Sequence, residues 1–329
     1  MKVLVKVKKI KKMSDMFFVS KSNNYGIGNG IFKYINNMVD GYIFTDYYNY
    51  CKNKNYISKN KKILILYEDI IVLIKNNYFE NPYHFAVVSN DIELQKIFYY
   101  YNRILSQIYI RLDIFIGLHG FDNIKILFER INKYNVKGIL IHFNENIQEF
   151  MWEIVFILIR ICLSKNIYLN IGGGNFTEYF PLLKNQKLNL QYRSCKYILL
   201  NKNFFEINIC FRVLNKKWCN DHNIIGYDSY KKEISGTYLY LINVGYGDFG
   251  ILREIFYKKT IIYTNKGNIF FPIHPCMNTA WIICENRLDI FDEINITLKS
   301  LEIVSQQLDV DLDEVISSIN EMVEKEYSE

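Results

Sequence analysis

The spacing of the apolar runs constrains this chain most. Through the first two-thirds, short runs rich in Ile, Val, Leu and Phe return at 16–20, 41–45, 63–67, 84–88, 108–112, 138–142, 167–171 and 197–200. Longer amphipathic segments, such as 92–107, 124–134 and 147–164, lie between several of them. Strand followed by helix is the signature of parallel pairing, because parallel neighbours need a long crossover. About eight such strands in roughly 200 residues predict a (β/α)8 TIM-type barrel. From residue 205 the texture changes. The runs 204–213, 236–244, 260–264, 269–273 and 281–284 are short, β-branched and aromatic, and Asn265-Lys266-Gly267-Asn268 reads as a turn between two of them. The expected architecture is α/β: a barrel over 1–204 and a smaller, mostly β domain over 205–329, with the tail 310–326 read as a helix on Val315, Ile316, Ile319, Met322 and Val323.

Bulk properties narrow the function classes. The chain has 329 residues, half of them apolar and 22% charged, so it suits one large domain plus a smaller one. Only Ala86 and Ala280 are alanines, while Lys, Asn, Ile, Tyr and Phe abound. We read that bias as codon drift. The net charge of +6 is modest, and the lysine cluster Lys6, Lys8, Lys9, Lys11 and Lys12 reads as a solvated terminal segment. With no recognition motif or focused basic face, no nucleic-acid partner is expected. Seven cysteines without a CxxC pair fit reduced thiols in a cytoplasm. No signal peptide is expected, and Glu153, Arg160 and Lys165 interrupt the most apolar stretch, so no membrane span is expected either. No metal-ligand spacing occurs.

Lys21 follows the first predicted barrel strand, in Lys21-Ser22-Asn23-Asn24-Tyr25-Gly26-Ile27-Gly28. The C-terminal end of a barrel strand is where such folds place their sites. Burial there would make the ammonium costly and favour the neutral, nucleophilic amine. Taken by itself the segment also reads as a turn with a solvated lysine.

The run resembles the cofactor-lysine motif of the alanine racemases, Lys-Ala-(Asp/Asn)-Ala-Tyr-Gly-x-Gly, in six of eight positions. Further blocks resemble that family in its own chain order. They are the strand at Asp40-Gly41-Tyr42-Ile43-Phe44, Arg111-Leu112-Asp113-Ile114-Phe115, Gly138-Ile139-Leu140-Ile141-His142-Phe143, Gly226-Tyr227-Asp228-Ser229-Tyr230, Gly245-Tyr246-Gly247-Asp248, Pro275-Cys276-Met277-Asn278 and Asp292-Glu293-Ile294. The resemblance implies pyridoxal 5'-phosphate held by Lys21 as a Schiff base. It implies two catalytic bases, Lys21 and Tyr227, on opposite faces of the cofactor, because the α-proton must leave one face and return to the other. A tyrosine hydroxyl titrates near pH 10 and needs help to act as a base; His142 would supply it. Arg193 would face the pyridine nitrogen. Tyr25, with Gly173 and Gly174 of the Gly172-Gly173-Gly174 loop and the backbone of Cys195 and Lys196, would hold the phosphate. Met277 and Arg111 would lie near the substrate carboxylate. The implied assembly is a homodimer that shares its active sites, and the implied product is D-alanine for peptidoglycan. Two departures leave the substrate open: Leu118 stands where the family has an arginine, and Arg111 where it has a lysine. A racemase of another small amino acid such as serine, or a non-catalytic relative that only binds the cofactor, remains an alternative.

Overall fold

A computed structural model describes residues 1–8, 11–114, 117, 120–143, 149–173, 189–220 and 235–329. The chain divides into two compact units: 11–21 with 32–198, and 1–10 with 22–31 and 199–329. The first unit is a closed barrel of eight strands, β2 (Met16–Ser20), β3 (Gly41–Phe44), β4 (Lys62–Ile65), β5 (His84–Val88), β6 (Ile108–Leu112), β7 (Gly138–His142), β8 (Tyr168–Gly172) and β9 (Leu190–Arg193). Every neighbouring pair is parallel, and β9 closes onto β2 with Met16 opposite Tyr192. The predicted barrel is therefore present.

Its strands are apolar on both faces, as parallel strands covered by helices must be. Phe17, Ile43, Leu64, Phe85, Val87, Tyr109 and Leu140 come from six strands and pack into one cluster that fills the barrel. Asp46, Asp69 and Asn90 close the loops after β3, β4 and β5, each accepting a backbone N–H of the helix that follows (2.8, 2.7 and 2.8 Å). These caps stop each strand and start its helix, which sets the C-terminal mouth of the barrel.

One predicted barrel strand is corrected. Residues 197–200 do not form the eighth strand; Lys196–Leu199 is a helical turn, and β9 lies just before it. The helix predicted over 92–107 breaks after Tyr100 into a 3-10 segment, Asn102–Gln107.

The second unit is mostly β. Its sheet runs β12 (Ile262–Thr264), β13 (Gly267–Phe270), β14 (Ala280–Cys284), β11 (Thr237–Ile242), β10 (Phe205–Cys219), β1 (Lys2–Val7) and β16 (Glu324–Ser328), with β15 (Glu293–Thr297) also on β10. The opening segment was read as solvated, yet Lys2–Val7 is a strand with Val3, Val5 and Val7 buried; Lys6 and Lys8 do face solvent. The tail helix is likewise shorter than predicted. It covers Leu312–Ser317, and Glu324–Ser328 pairs parallel with β1. Among the described residues no helix is long and apolar enough to cross a membrane.

Candidate active site

Level with Leu140 of the apolar cluster, the buried positions on β8 and β9 turn polar. Tyr109 Oη donates to Gln191 Oε1 (2.8 Å), and Asn170 Nδ2 donates to the same oxygen (3.3 Å). Asn170 then accepts from Arg193: Nη1 donates to its Oδ1 (2.6 Å) and to its carbonyl (3.1 Å). Nη2 of Arg193 donates to the Ile141 carbonyl (2.8 Å) and to His142 Nδ1 (3.2 Å). The ladder Tyr109–Gln191–Asn170–Arg193–His142 thus climbs from the core to the mouth.

Strand register explains the last link. His142 lies opposite Gly172 on β8, and Gly172 lies opposite Arg193 on β9. Gly172 has no side chain, so the guanidinium passes across β8 to reach β7. A Cβ there would stand 2.5 Å from Arg193 Cγ and Nε. Gly172→Ala should therefore push Arg193 off His142. We expect a stability loss of about 1–3 kcal/mol from overpacking, read by denaturant unfolding, together with the loss of the His142 ring's fixed orientation. Gly173 has φ +96°, and a Cβ on it would meet the Phe143 carbonyl, so that turn is closed to other residues.

A guanidinium only donates, so Nδ1 of His142 accepts and its proton sits on Nε2. Burial, then the charges of Arg193, Arg111 and Lys21, push the His142 pKa down to about 3. The ring is neutral at pH 7, with one N–H to offer a partner. The sign for stability follows. Above the unfolded value of about 6.5 both states are neutral and nothing is lost. Between about 6.5 and about 3 only the unfolded state takes the proton, so stability falls with pH by up to about 1.4 kcal/mol per pH unit. His142→Gln should flatten that part of the acid-unfolding curve. An unchanged slope would place the titration elsewhere.

Arg193 is buried, and burial followed by the charge of Arg111 lowers its pKa to about 9, so it stays charged at neutral pH. Arg111 is also buried and donates through Nη1 to Tyr67 Oη (2.7 Å). Lys21 follows Ser20 at the end of β2. It is exposed, so the burial expected for it is not found, but its charge reaches His142. The segment after it is unusual: Asn23, Asn24 and Tyr25 all have left-handed φ (52°, 53° and 55°). Asparagine tolerates this conformation and tyrosine does so rarely.

The barrel mouth therefore gathers Lys21, Arg111, His142 and Arg193. Cys195 is buried and Lys196 exposed, just beyond β9. Tyr25 and Met277 belong to the other unit; Met277 is 58% exposed there, and its carbonyl accepts from Gly247 N (2.8 Å). Tyr227, Gly174 and Leu118 lie outside the described residues. Sequence reasoning missed Tyr67, Asn170 and Gln191. The signal for the last two was there, since a polar residue inside a parallel strand is out of place.

This donor set fits an anionic, aldehyde-bearing cofactor. Lys21 offers an amine, and two buried guanidiniums act with it on His142, with no ion pair from either guanidinium to a carboxylate among the described residues. A metal fits less well, because no group of three His, Cys, Asp or Glu is suitably placed among the described residues.

The fold is that of the fold-type III, alanine-racemase architecture: a parallel eight-stranded barrel with a second, mostly β unit. Alanine racemase from E. faecalis aligns over 98% of this chain and 97% of its own, with TM-score 0.75 and 14% identity. The Bartonella henselae enzyme, described with covalently bound pyridoxal phosphate, aligns over 99% of both chains with TM-score 0.73 and 14% identity. The Bacillus anthracis enzyme, described with bound L-Ala-P, aligns over 100% of this chain and 95% of its own, with TM-score 0.74 and 14% identity. No protein-family model and no curated protein sequence matches this chain.

Proposed function

We propose that this chain is a pyridoxal-phosphate-dependent amino-acid racemase that interconverts L- and D-alanine. The observation that carries the reading is the hydrogen bond from Arg193 to His142 at the mouth of the barrel from which Lys21 emerges. The cofactor, when bound, supplies an electron sink for the charge left at the substrate α-carbon. Lys21 would hold it through its amine and would serve as one base. Tyr227 serves as the other. His142, kept neutral with its proton on Nε2, donates to the tyrosine oxygen and eases loss of the phenolic proton. Arg193 would face the cofactor's ring nitrogen, and because a guanidinium keeps its own proton it would leave that nitrogen unprotonated. This limits the sink and favours simple proton return over side reactions.

Tyr25, Gly173, Gly174 and the backbone of Cys195 and Lys196 hold the phosphate in this reading, and Arg111 and Met277 lie toward the substrate carboxylate. The protein works as a cytoplasmic homodimer with shared sites and supplies D-alanine for the cell wall. It needs neither a nucleic acid nor a membrane.

The test is direct. Purified protein mixed with pyridoxal phosphate should gain a visible absorbance band, and L-alanine should then yield D-alanine in a chiral assay. A band with no product from any small amino acid would leave a cofactor-binding protein without this activity. A product from serine but not alanine would move the substrate.

A further inference from the structure

The turn after Lys21 holds a costly conformation. Asn23, Asn24 and Tyr25 take left-handed backbone angles one after another. Apart from glycine, residues visit that region singly, and a run of three is unfavourable. Such strain persists only where the surroundings over-determine it. Part of the support is internal. The buried Asn24 donates through Nδ2 to the Gly28 carbonyl (3.2 Å) and to Asn29 Oδ1 (3.1 Å), and Gly28 N donates to the Asn23 carbonyl (2.9 Å).

The rest comes from far along the chain but within the same compact unit. Tyr327 of β16, 300 residues from Ile27, donates through Oη to the Ile27 carbonyl (2.5 Å). Its ring lies where a Cβ on Gly30 would have to stand, and a Cβ on Gly28 would be 3.0 Å from its hydroxyl. A Cβ on Gly26 would overlap the carbonyl oxygen of Ile316, in the helix Leu312–Ser317. The glycines that follow Tyr25 are thus accounted for by the close approach of that helix and of β16. β16 is itself fixed, because its ladder to β1 sets Tyr327 opposite the buried Val5. The sheet therefore reaches the strained turn through one hydroxyl and one ring.

We propose that Tyr327 is a positioning residue for the cofactor's phosphate: it fixes the turn that presents Tyr25, and thereby sets the affinity for pyridoxal phosphate without touching it. This deepens the racemase reading and rests on it, since that reading gives the phosphate to Tyr25. Removing the Tyr327 hydroxyl frees the Ile27 carbonyl and lets the turn relax toward ordinary backbone angles. The Tyr25 hydroxyl then spends less time in place, and affinity falls in proportion to that fraction. A ligand without the phosphate is indifferent to the change.

The experiment uses the full chain and two probes, pyridoxal phosphate and pyridoxal, which lacks the phosphate. Each is titrated into wild type, Tyr327→Phe, Tyr25→Phe and the double variant, with dissociation constants read from the visible absorbance. Tyr327→Phe should bind pyridoxal phosphate about tenfold more weakly and pyridoxal as wild type does. The double variant should lose no more than Tyr25→Phe alone, because both hydroxyls act through one contact. Equal pyridoxal phosphate affinity in wild type and Tyr327→Phe overturns the assignment, and so do additive losses in the double variant. A Tyr327→Phe protein that fails to fold, or that loses both probes equally, makes Tyr327 a residue of the fold alone and also overturns it. Wild type that binds neither probe sinks the cofactor reading and this inference with it. The predicted binding pattern without racemisation sinks the activity and leaves the inference standing.

Discussion

Lys21→Ala is expected to abolish both the visible absorbance of the cofactor-loaded protein and its turnover. The two losses have one cause. In the proposed reading Lys21 is the amine that holds the cofactor and also one of the two bases. The activity loss should be at least about 10⁴-fold, beyond what removal of a single base alone costs. The fold should survive, because Lys21 is exposed and β2 is held by its ladders to β3 and β9. A wild-type melting temperature in the variant would confirm that the loss is chemical.

Tyr227→Phe should behave differently. The cofactor band stays, since the tyrosine does not hold the cofactor in this account. Turnover falls by about 10²–10⁴-fold, the usual contribution of a positioned base. The remaining base serves one face only. Starting from one enantiomer, α-proton exchange with solvent should then survive without inversion, while from the other both should be lost. If Tyr227→Phe instead removed the band, the residue would belong to the cofactor site and not to proton transfer.

Much of the barrel was legible in the sequence for one reason. Seven of its strands are apolar enough to stand out between amphipathic segments, and the runs at His84–Val88, Ile108–Leu112 and Gly138–His142 coincide with strands residue for residue. The eighth strand was hidden because Leu190–Arg193 carries Gln191 and Arg193, the inward polar residues that build the site. The apolar signal had moved to Ile198 and Leu199, which bury themselves from a helical turn. The tail misled for a similar reason. Glu324–Ser328 is a charged sheet-edge strand recognisable only from its partner β1, and β1 was obscured by its lysines although Val3, Val5 and Val7 alternate. His142 and Arg193 were singled out through family resemblance. Their contact was not, because it depends on Gly172 leaving room across a strand. Tyr67 was invisible: nothing in its local sequence marks it as the partner of a buried arginine 44 residues away.

The central claim is tested most directly by incubating the cofactor-loaded protein with L-alanine in D2O and following both the α-proton and the handedness of the product. The account predicts D-alanine deuterated at the α-carbon, formed by wild-type protein and not by Lys21→Ala. Cofactor held on Lys21 with neither α-proton exchange nor inversion, across alanine, serine and other small amino acids, would contradict it.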